Sequence, residues 1–153
     1  MPNRAISSEE AMEILKAGRY GVLSTASAAG EPYGVPVNYC YDERENCLYF
    51  HCARVGKKLD HIAGNSRVSF VVVGQEAVVP ERFITHYDSA LVTGHASMVT
   101  DEVEVVEKLL ALCQRFAPGV TARRDDVIAK YLPAVAIVKV SVDEVSGKRN
   151  RDD

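Results

Sequence analysis

The sequence has no tryptophan and no surplus of positive charge. Its 18 Lys and Arg residues are outnumbered by 21 Asp and Glu residues, which gives a formal net charge of −3. Proteins that bind nucleic acid usually carry a basic surplus, because contacts to phosphates require Lys and Arg. The composition therefore predicts a protein without a nucleic-acid partner.

A long apolar run is also missing. No stretch of 18 or more apolar residues occurs, so no transmembrane helix is predicted. The first ten residues are polar and lack the apolar centre of a signal peptide. Together these absences predict a cytoplasmic protein with no membrane partner.

The four cysteines, Cys40, Cys47, Cys52 and Cys113, form no C-x-x-C pair. This spacing excludes zinc-ribbon and thioredoxin motifs, and the His and Cys positions together match no zinc pattern, so no metal site is predicted. P-loop, G-x-G-x-x-G and G-x-S-x-G motifs are absent as well. In a reducing compartment the cysteines are most simply small buried apolar residues.

The 153 residues, of which 47% are hydrophobic, suit one globular domain spanning residues 1–153. Ser7 and Glu10 form a capping-box pattern that predicts a helix over residues 8–17. Gly18 is expected to end this helix in a left-handed conformation. A second short helix is predicted over residues 56–63.

Strand-like segments separated by short turns account for most of the remaining chain. The segments are residues 20–26, 33–41, 47–53, 67–73, 77–83, 89–99 and 134–142. Short connections favour antiparallel pairing, and the lack of regular βαβ alternation argues against a parallel doubly wound sheet. The pattern predicts a mainly β (α+β) fold, a small closed or partly closed antiparallel barrel of about six strands with flanking helices.

Two further local features complete this prediction. Gly74 and Gln75 read as a turn between two strands. Thr100 is expected to cap a helix that begins at Asp101. The apolar stripe of that helix is predicted to be Val103, Val106, Leu109, Leu110 and Cys113.

Two lysines, Lys57 and Lys58, follow Gly56 at the predicted start of a helix. Free N–H groups and two ammonium groups at a helix N-terminus suit a phosphate. The alternative is an ordinary solvated lysine pair.

Residues 33–39 are apolar or small, so their backbone could face a flat ring. Alternatively they form an edge strand, where Pro36, which has no backbone N–H, loses no hydrogen bond.

His51 lies in the middle of a predicted strand. Because side chains alternate along a strand, Leu48, Phe50 and Cys52 share the apolar face that we expect to form the core. His51 would then point away from the core, toward a cleft or toward solvent. It is a candidate proton donor or acceptor, and the alternative is a structural histidine.

Taken in order, these segments resemble the pyridoxamine 5′-phosphate oxidase-like family of flavin-binding split barrels, and most of all its nitroimidazole-resistance (Nim-type) branch. The segments that carry the resemblance are residues 20–25, 32–39, 49–53, 56–59, 65–73, 87–89, Gly94 and 146–148. They extend over nearly the whole chain. The resemblance implies a six-stranded antiparallel split β-barrel and a homodimer with flavin mononucleotide (FMN) in two clefts at the dimer interface.

The same resemblance assigns roles to individual residues. Val35, Val37 and Asn38 would lie along the isoalloxazine ring, and His51 and Cys52 near its pyrimidine edge or the substrate. Lys57 and Lys58 would bind the phosphate. Lys148 would approach the cofactor from the partner subunit.

The implied function is an FMN-dependent oxidoreductase that acts on a small molecule, with nitro compounds as one substrate class. Pyridoxamine phosphate oxidases carry an arginine-rich strand at the position of residues 35–40, and a Trp and an Arg-x-His near the C-terminus. This sequence has none of these features, which argues against vitamin B6 oxidation. The alternative function is non-catalytic: a flavin- or haem-binding or sensing protein on the same barrel.

Overall fold

The computed structural model describes residues 3–151 as a curled antiparallel sheet with helices packed against it. No helix in that range is long and apolar enough to cross a membrane. The elements in chain order are β1 Ala5–Ile6, α1 Ser8–Ala17, β2 Tyr20–Ala26, β3 Pro32–Asn38, β4 Cys40–Asp42, β5 Cys47–Ala53, α2 Lys57–Gly64, β6 Arg67–Val79, β7 Ile84–Met98, α3 Glu102–Phe116, α4 Arg124–Tyr131 and β8 Val135–Asn150.

The strands follow the order β3-β2-β6-β7-β8-β5-β4, and β1 pairs with β8. Every pair is antiparallel. Six strands are seven residues or longer, whereas β1 and β4 have two and three residues. The predicted mainly β split barrel with flanking helices is therefore confirmed, with two short strands added to the expected six.

The main core lies between the concave side of the sheet and α1. Alternating residues of the long strands point into it, including Leu23, Phe50, Phe70 and Val138, which are fully buried. A second, smaller core lies on the other side of β5, where α3 covers residues such as Tyr49. Strand β5 is consequently buried on both faces from Cys47 to Phe50.

Helix α1 has the predicted bounds, and its capping box is present. The Ser7 hydroxyl accepts a hydrogen bond from the Glu10 amide (3.1 Å), and the Glu10 carboxylate accepts one from the Ser7 amide (3.0 Å). The predicted left-handed cap at Gly18 is wrong, because its φ of −66° and ψ of 150° are extended. Glycine is needed there for space: a Cβ would lie 2.3 Å from the Tyr39 hydroxyl and 2.6 Å from Val72.

The strand expected over residues 33–41 is interrupted at Tyr39. Its side chain is buried, its hydroxyl donates to the Leu15 carbonyl oxygen, and its ring contacts Phe70 edge-on with centroids 4.9 Å apart. Anchoring this side chain in the core separates β3 from β4.

The turn expected at Gly74 and Gln75 is also wrong. Strand β6 continues to Val79 and has a bulge between Val73 and Gln75. A Cβ on Gly74 would lie 2.3 Å from a carboxylate oxygen of Asp88, which accepts a hydrogen bond from the Gln75 amide (2.8 Å). The bulge therefore lets a buried carboxylate of β7 approach the backbone.

Helix α3 begins one residue later than expected, with Asp101 rather than Thr100 as its cap. Its predicted apolar stripe is wrong as well, because Val103 is 66% exposed and the buried side chains are Val105, Lys108 and Leu112. Lys108 belongs to the buried face because its ammonium group donates hydrogen bonds to the carboxylates of Asp42 and Glu45.

Candidate functional site

Strand β5 opens to solvent at His51. The strand is covered on both faces up to Phe50, whereas His51 is exposed and is paired with Ile137 of β8. Leu48 and Phe50 lie in the main core, as the alternation predicted, so the imidazole points to the opposite side. Tyr49 shares that side but lies under α3.

His51 lines a cleft of about 480 Å³ between the sheet and the helices α3 and α4. This volume lies in the ordinary range of small-molecule sites. The sheet contributes Asn38, His51 and Val135. The helical wall consists of Leu109, Leu112, Cys113, Phe116, Ala117, Val127, Ile128 and Tyr131.

Asn38 stands at the end of β3, in the same cleft as His51. Its amide nitrogen donates a hydrogen bond to the carbonyl oxygen of Arg19 (3.0 Å). This bond ties the side chain to the start of β2, its neighbouring strand. Asn38 and His51 are thus two polar groups that the sheet contributes to a mostly apolar cleft.

The two lysines open helix α2 as predicted, with Gly56 at its N-cap. Gly56 has a φ of +150°, no side chain caps the first turn, and nothing lies within 4 Å of where a Cβ of Gly56 would be. The Lys57 ammonium lies 3.3 Å from a Glu31 carboxylate oxygen and 5.5 Å from the centre of the Tyr33 ring. The first turn therefore faces open space.

Cys52 and Lys58 lie on the other side of β5 from His51. Cys52 packs against the main core, and burial raises the pKa of its thiol although the positive charge of Lys58 opposes the shift. Lys58 itself is half-buried. The side chains of the adjacent residues His51 and Cys52 therefore lie on opposite faces of the strand, one in the cleft and the other against the main core.

The remaining predicted residues lie outside the cleft. Val35 and Val37 are half-buried against the main core, on the face of β3 opposite to Asn38. Strand β3 is an edge strand, which confirms the edge interpretation of Pro36. Lys148 is exposed on β8, where it is paired with Ser89 on one side and Ala5 on the other.

Sequence reasoning missed the helical wall of the cleft. Leu109 and Cys113 were predicted to belong to the apolar stripe of α3, and no residue of α4 was among the predicted site residues. The available signal was the spacing of Val127, Ile128 and Tyr131, which places three apolar side chains on one side of a short helix.

Two other polar groupings are already paired internally. The buried His61 has its Nδ1 2.9 Å from the Thr25 hydroxyl. A cleft of about 650 Å³ beside α1 contains Arg149, which donates to Glu10 (2.9 Å). Within residues 3–151, no three or more His, Cys, Asp or Glu residues are grouped so that they could hold a metal ion.

The curled antiparallel sheet, its flanking helices and the cleft at His51 define a split-barrel protein. The family model described as pyridoxamine 5′-phosphate oxidase matches residues 7–149. The chain belongs to this family.

Among curated proteins, the chain is similar to the 5a,11a-dehydrotetracycline/5a,11a-dehydrooxytetracycline reductase of Streptomyces rimosus subsp. rimosus. The two are 36% identical over 66 residues, which is 42% of this chain and 46% of the reductase. The matched segment thus spans about half the length of that relative.

Two solved structures show the same fold. A candidate 5-nitroimidazole antibiotic resistance protein from Bacteroides thetaiotaomicron has a TM-score of 0.76 and 21% identity, over 94% of this chain and 85% of that one. An FAD- and haem-binding protein from Mycobacterium smegmatis has a TM-score of 0.78 and 20% identity, over 99% of this chain and 77% of that one.

Proposed function

We propose that the protein is an FMN-dependent oxidoreductase that reduces a small organic molecule bound at the His51 cleft. The proposal rests on one observation. Near its end, strand β5 places the exposed His51 in an apolar cleft, and the chain then enters α2, whose uncapped first turn carries Lys57 and Lys58. Membership of the family and the similarity to a tetracycline-type reductase support it.

The first turn of α2 fits a phosphate. Its N–H groups have no side-chain cap, and the space before Gly56 is open. Lys58 and Lys57 add positive charge, and the carboxylate partner of Lys57, Glu31, is exposed, so an anion can replace it. These are the usual elements of an anion site at a helix N-terminus.

The ring of the cofactor would lie along the edge strand β3. An edge strand presents backbone N–H and C=O groups that no neighbouring strand uses, so residues such as Val35 and Val37 can bind a flat heterocycle through the backbone. Asn38 and Cys52 would contact the two ends of the ring. Bound FMN supplies transfer of one or two electrons.

His51 and Asn38 would act on the substrate. The imidazole can donate a proton to the molecule being reduced, and the Asn38 side chain, fixed by its bond to Arg19, can orient it. A nitro group accepts hydrogen bonds from both side chains, so we propose nitro compounds among the substrates. The apolar helical wall excludes water from the reaction.

We further propose a homodimer that covers an exposed apolar row of the sheet. Pro36, Val22, Val71 and Leu91 are successive partners across β3, β2, β6 and β7, and they face outward. Val22 and Leu91 are each 40% exposed. In such a dimer we propose that Lys148 of the second copy approaches the cofactor. Sedimentation should then give twice the 16.7 kDa chain mass.

The phosphate assignment is tested by comparing FMN with riboflavin, which lacks the phosphate. In Lys58→Ala, FMN binding should weaken by about one to two decades, because a charge-assisted contact contributes about 1.5–3 kcal/mol. Riboflavin binding should stay unchanged, and Lys57→Ala should show a smaller loss of the same kind. Lys130→Ala, an exposed lysine of α4, is the control. Equal losses for both ligands would contradict the assignment.

The role of His51 is tested by anaerobic reoxidation of reduced, FMN-loaded protein by a nitroimidazole. His51→Ala should slow this reaction by about 100-fold or more, the usual value of positioned proton transfer. FMN affinity, dimer mass and melting temperature should stay nearly unchanged, because the side chain is exposed. A variant that melts early or loses FMN, with normal activity per bound flavin, would show that His51 is structural.

The second candidate is haem binding without catalysis. An exposed histidine in an apolar cleft is also a suitable axial ligand, which is the observation that favours it. Haem added to the purified protein should then give a Soret band that His51→Ala abolishes. A yellow protein without such a band, and with flavin absorption, favours the oxidoreductase.

A further inference from the structure

We infer that the cleft between α3 and α4 binds an uncharged, largely apolar organic molecule and selects against anions. The inference rests on the proposed function, since it names the substrate class of that site. It is drawn from the helical wall of the cleft, which the flavin assignment does not use.

Helix α4 indicates that the cleft has an occupant. The helix has eight residues and none of them is buried. Its apolar side chains Val127, Ile128 and Tyr131 all line the cleft, and Val127 is 44% exposed. A helix this short is marginal in water without a packed apolar face, so an apolar molecule in the cleft would supply that packing.

The composition of the lining determines the charge of the occupant. No Asp, Glu, Lys or Arg is among the described residues that line the cleft. An anion would lose water there without a Lys or Arg in the lining to pair with, so its binding is disfavoured. An uncharged molecule has no such penalty, and His51 and Asn38 can bond one of its polar groups.

Parts of the cleft are held in place by contacts that need no ligand. The Phe116 ring has the Arg19 guanidinium 5.1 Å from its centre. Arg54 donates hydrogen bonds to the carbonyl oxygens of Leu132 (3.0 Å) and Val135 (3.2 Å), which fixes the chain after α4. Because Phe116 and the chain after α4 are fixed in this way, binding needs to supply packing only to α4 itself.

A small molecule rather than a protein segment fits this geometry. The cleft is concave, has a ligand-sized volume of about 480 Å³ and is lined mostly by apolar side chains. The row proposed for the dimer lies on β3, β2, β6 and β7, whereas most of the cleft is formed by α3 and α4. The two surfaces approach each other at β3, where Asn38 lies two residues after Pro36 on the same face.

A pair of fluorescent probes that differ by one sulfonate tests the inference. Neutral 1-anilinonaphthalene should bind at least about tenfold more tightly than 1-anilinonaphthalene-8-sulfonate. Val127→Asp should weaken the neutral probe by about tenfold or more, because it places a charge in the wall. Val103→Asp, at a more exposed valine of α3 outside the cleft, is the control and should bind as the unaltered protein does.

Phe116→Ala provides a second variant, in case Val127→Asp unfolds α4, and should also weaken the neutral probe. Equal affinity for both probes would overturn the charge argument, and equal effects of Val127→Asp and Val103→Asp would overturn the location. A cleft covered by a second copy would bind neither probe, and Val127→Asp would then change the sedimentation mass; this too would overturn the inference.

FMN titration of the same variants separates this inference from the proposed function. Val127→Asp should leave FMN affinity unchanged. If it weakens FMN as much as the probe, the cleft is the flavin site and the inference is wrong. If the unaltered protein binds no FMN but still selects the neutral probe in the cleft, the inference stands and the proposed function fails.

Discussion

Lys108 offers a quantitative test of how α3 is held on the barrel. Its side chain is 9% exposed, and its ammonium group lies 3.1 Å from both the Asp42 and the Glu45 carboxylates. It also lies 4.7 Å from the centre of the Tyr49 ring. Burial opposes this charge, but the hydrogen bonds to both carboxylates outweigh it and raise the pKa of Lys108.

Lys108→Met removes the cation and leaves two carboxylates facing an apolar side chain. Loss of one partner of a buried ion pair costs about 3–5 kcal/mol. Asp42 and Glu45 keep 26% and 38% of their side-chain surface in water, and Lys139 stays bonded to Glu45. We therefore expect the free energy of unfolding to fall by about 2–3 kcal/mol, and the melting temperature by about 5–10 °C.

The loss should depend on pH with a definite sign. Burial raises the pKa of Asp42, but hydrogen bonds from Lys108 and nearby backbone amides outweigh it, and hydrogen bonds from Lys139 and Lys108 lower the pKa of Glu45. Carboxyls with depressed folded-state pKa values stabilise the protein above their unfolded pKa and lose this effect as the pH falls through the folded value. The difference between Lys108→Met and the unaltered protein should therefore be largest at pH 7 and shrink below about pH 4.

Urea unfolding followed by circular dichroism, at one fixed protein concentration, measures this difference. Circular dichroism is the suitable signal because the chain has no tryptophan. Lys130→Met, at an exposed position of α4, should stay within about 0.5 kcal/mol of the unaltered protein. A Lys108→Met loss below that value, or one that is the same at pH 7 and pH 3, would refute the reasoning.

Two further predictions concern buried groups. Iodoacetamide at pH 8 should leave Cys40 and Cys47 unmodified in the native protein, because burial raises the pKa of Cys47 to about 11 and also raises that of Cys40. In urea the same reagent should label all four cysteines, and mass spectrometry of the peptides measures the labelling. Gly18→Ala should lower the free energy of unfolding in urea by about 1–3 kcal/mol, because the added Cβ overlaps the buried Tyr39 hydroxyl. Gly34→Ala should cost less, since its Cβ would lie 3.6 Å from the nearest side-chain atom of Val22. Equal losses would contradict the steric argument.

Local chemistry in the sequence determined the elements that depend on near neighbours. The bounds of α1, β2 and β5 were predicted correctly because capping, turn residues and alternation act within a few positions. The same alternation predicted that His51 faces away from the core. The resemblance of short segments to a known family, in order along nearly the whole chain, indicated the family, and the match of its model to residues 7–149 confirms it.

Only the tertiary structure decided features that depend on groups distant in sequence. The buried face of α3 includes Lys108 because carboxylates more than sixty residues earlier meet it, so helical periodicity alone selected the wrong stripe. The extended Gly18 and the bulge at Gly74 reflect contacts with Tyr39 and Asp88, which no local pattern contains.

The candidate site shows the same division. The sequence singled out His51 and the lysine pair as candidates from residue type and local position, and Asn38 through the family resemblance. It did not identify the apolar wall, because Leu109, Phe116 and Tyr131 could equally have faced the core. The hydrophobic effect is non-directional, so an apolar side chain does not by itself determine which surface it will cover. The cleft forms only when the sheet and both helices are assembled.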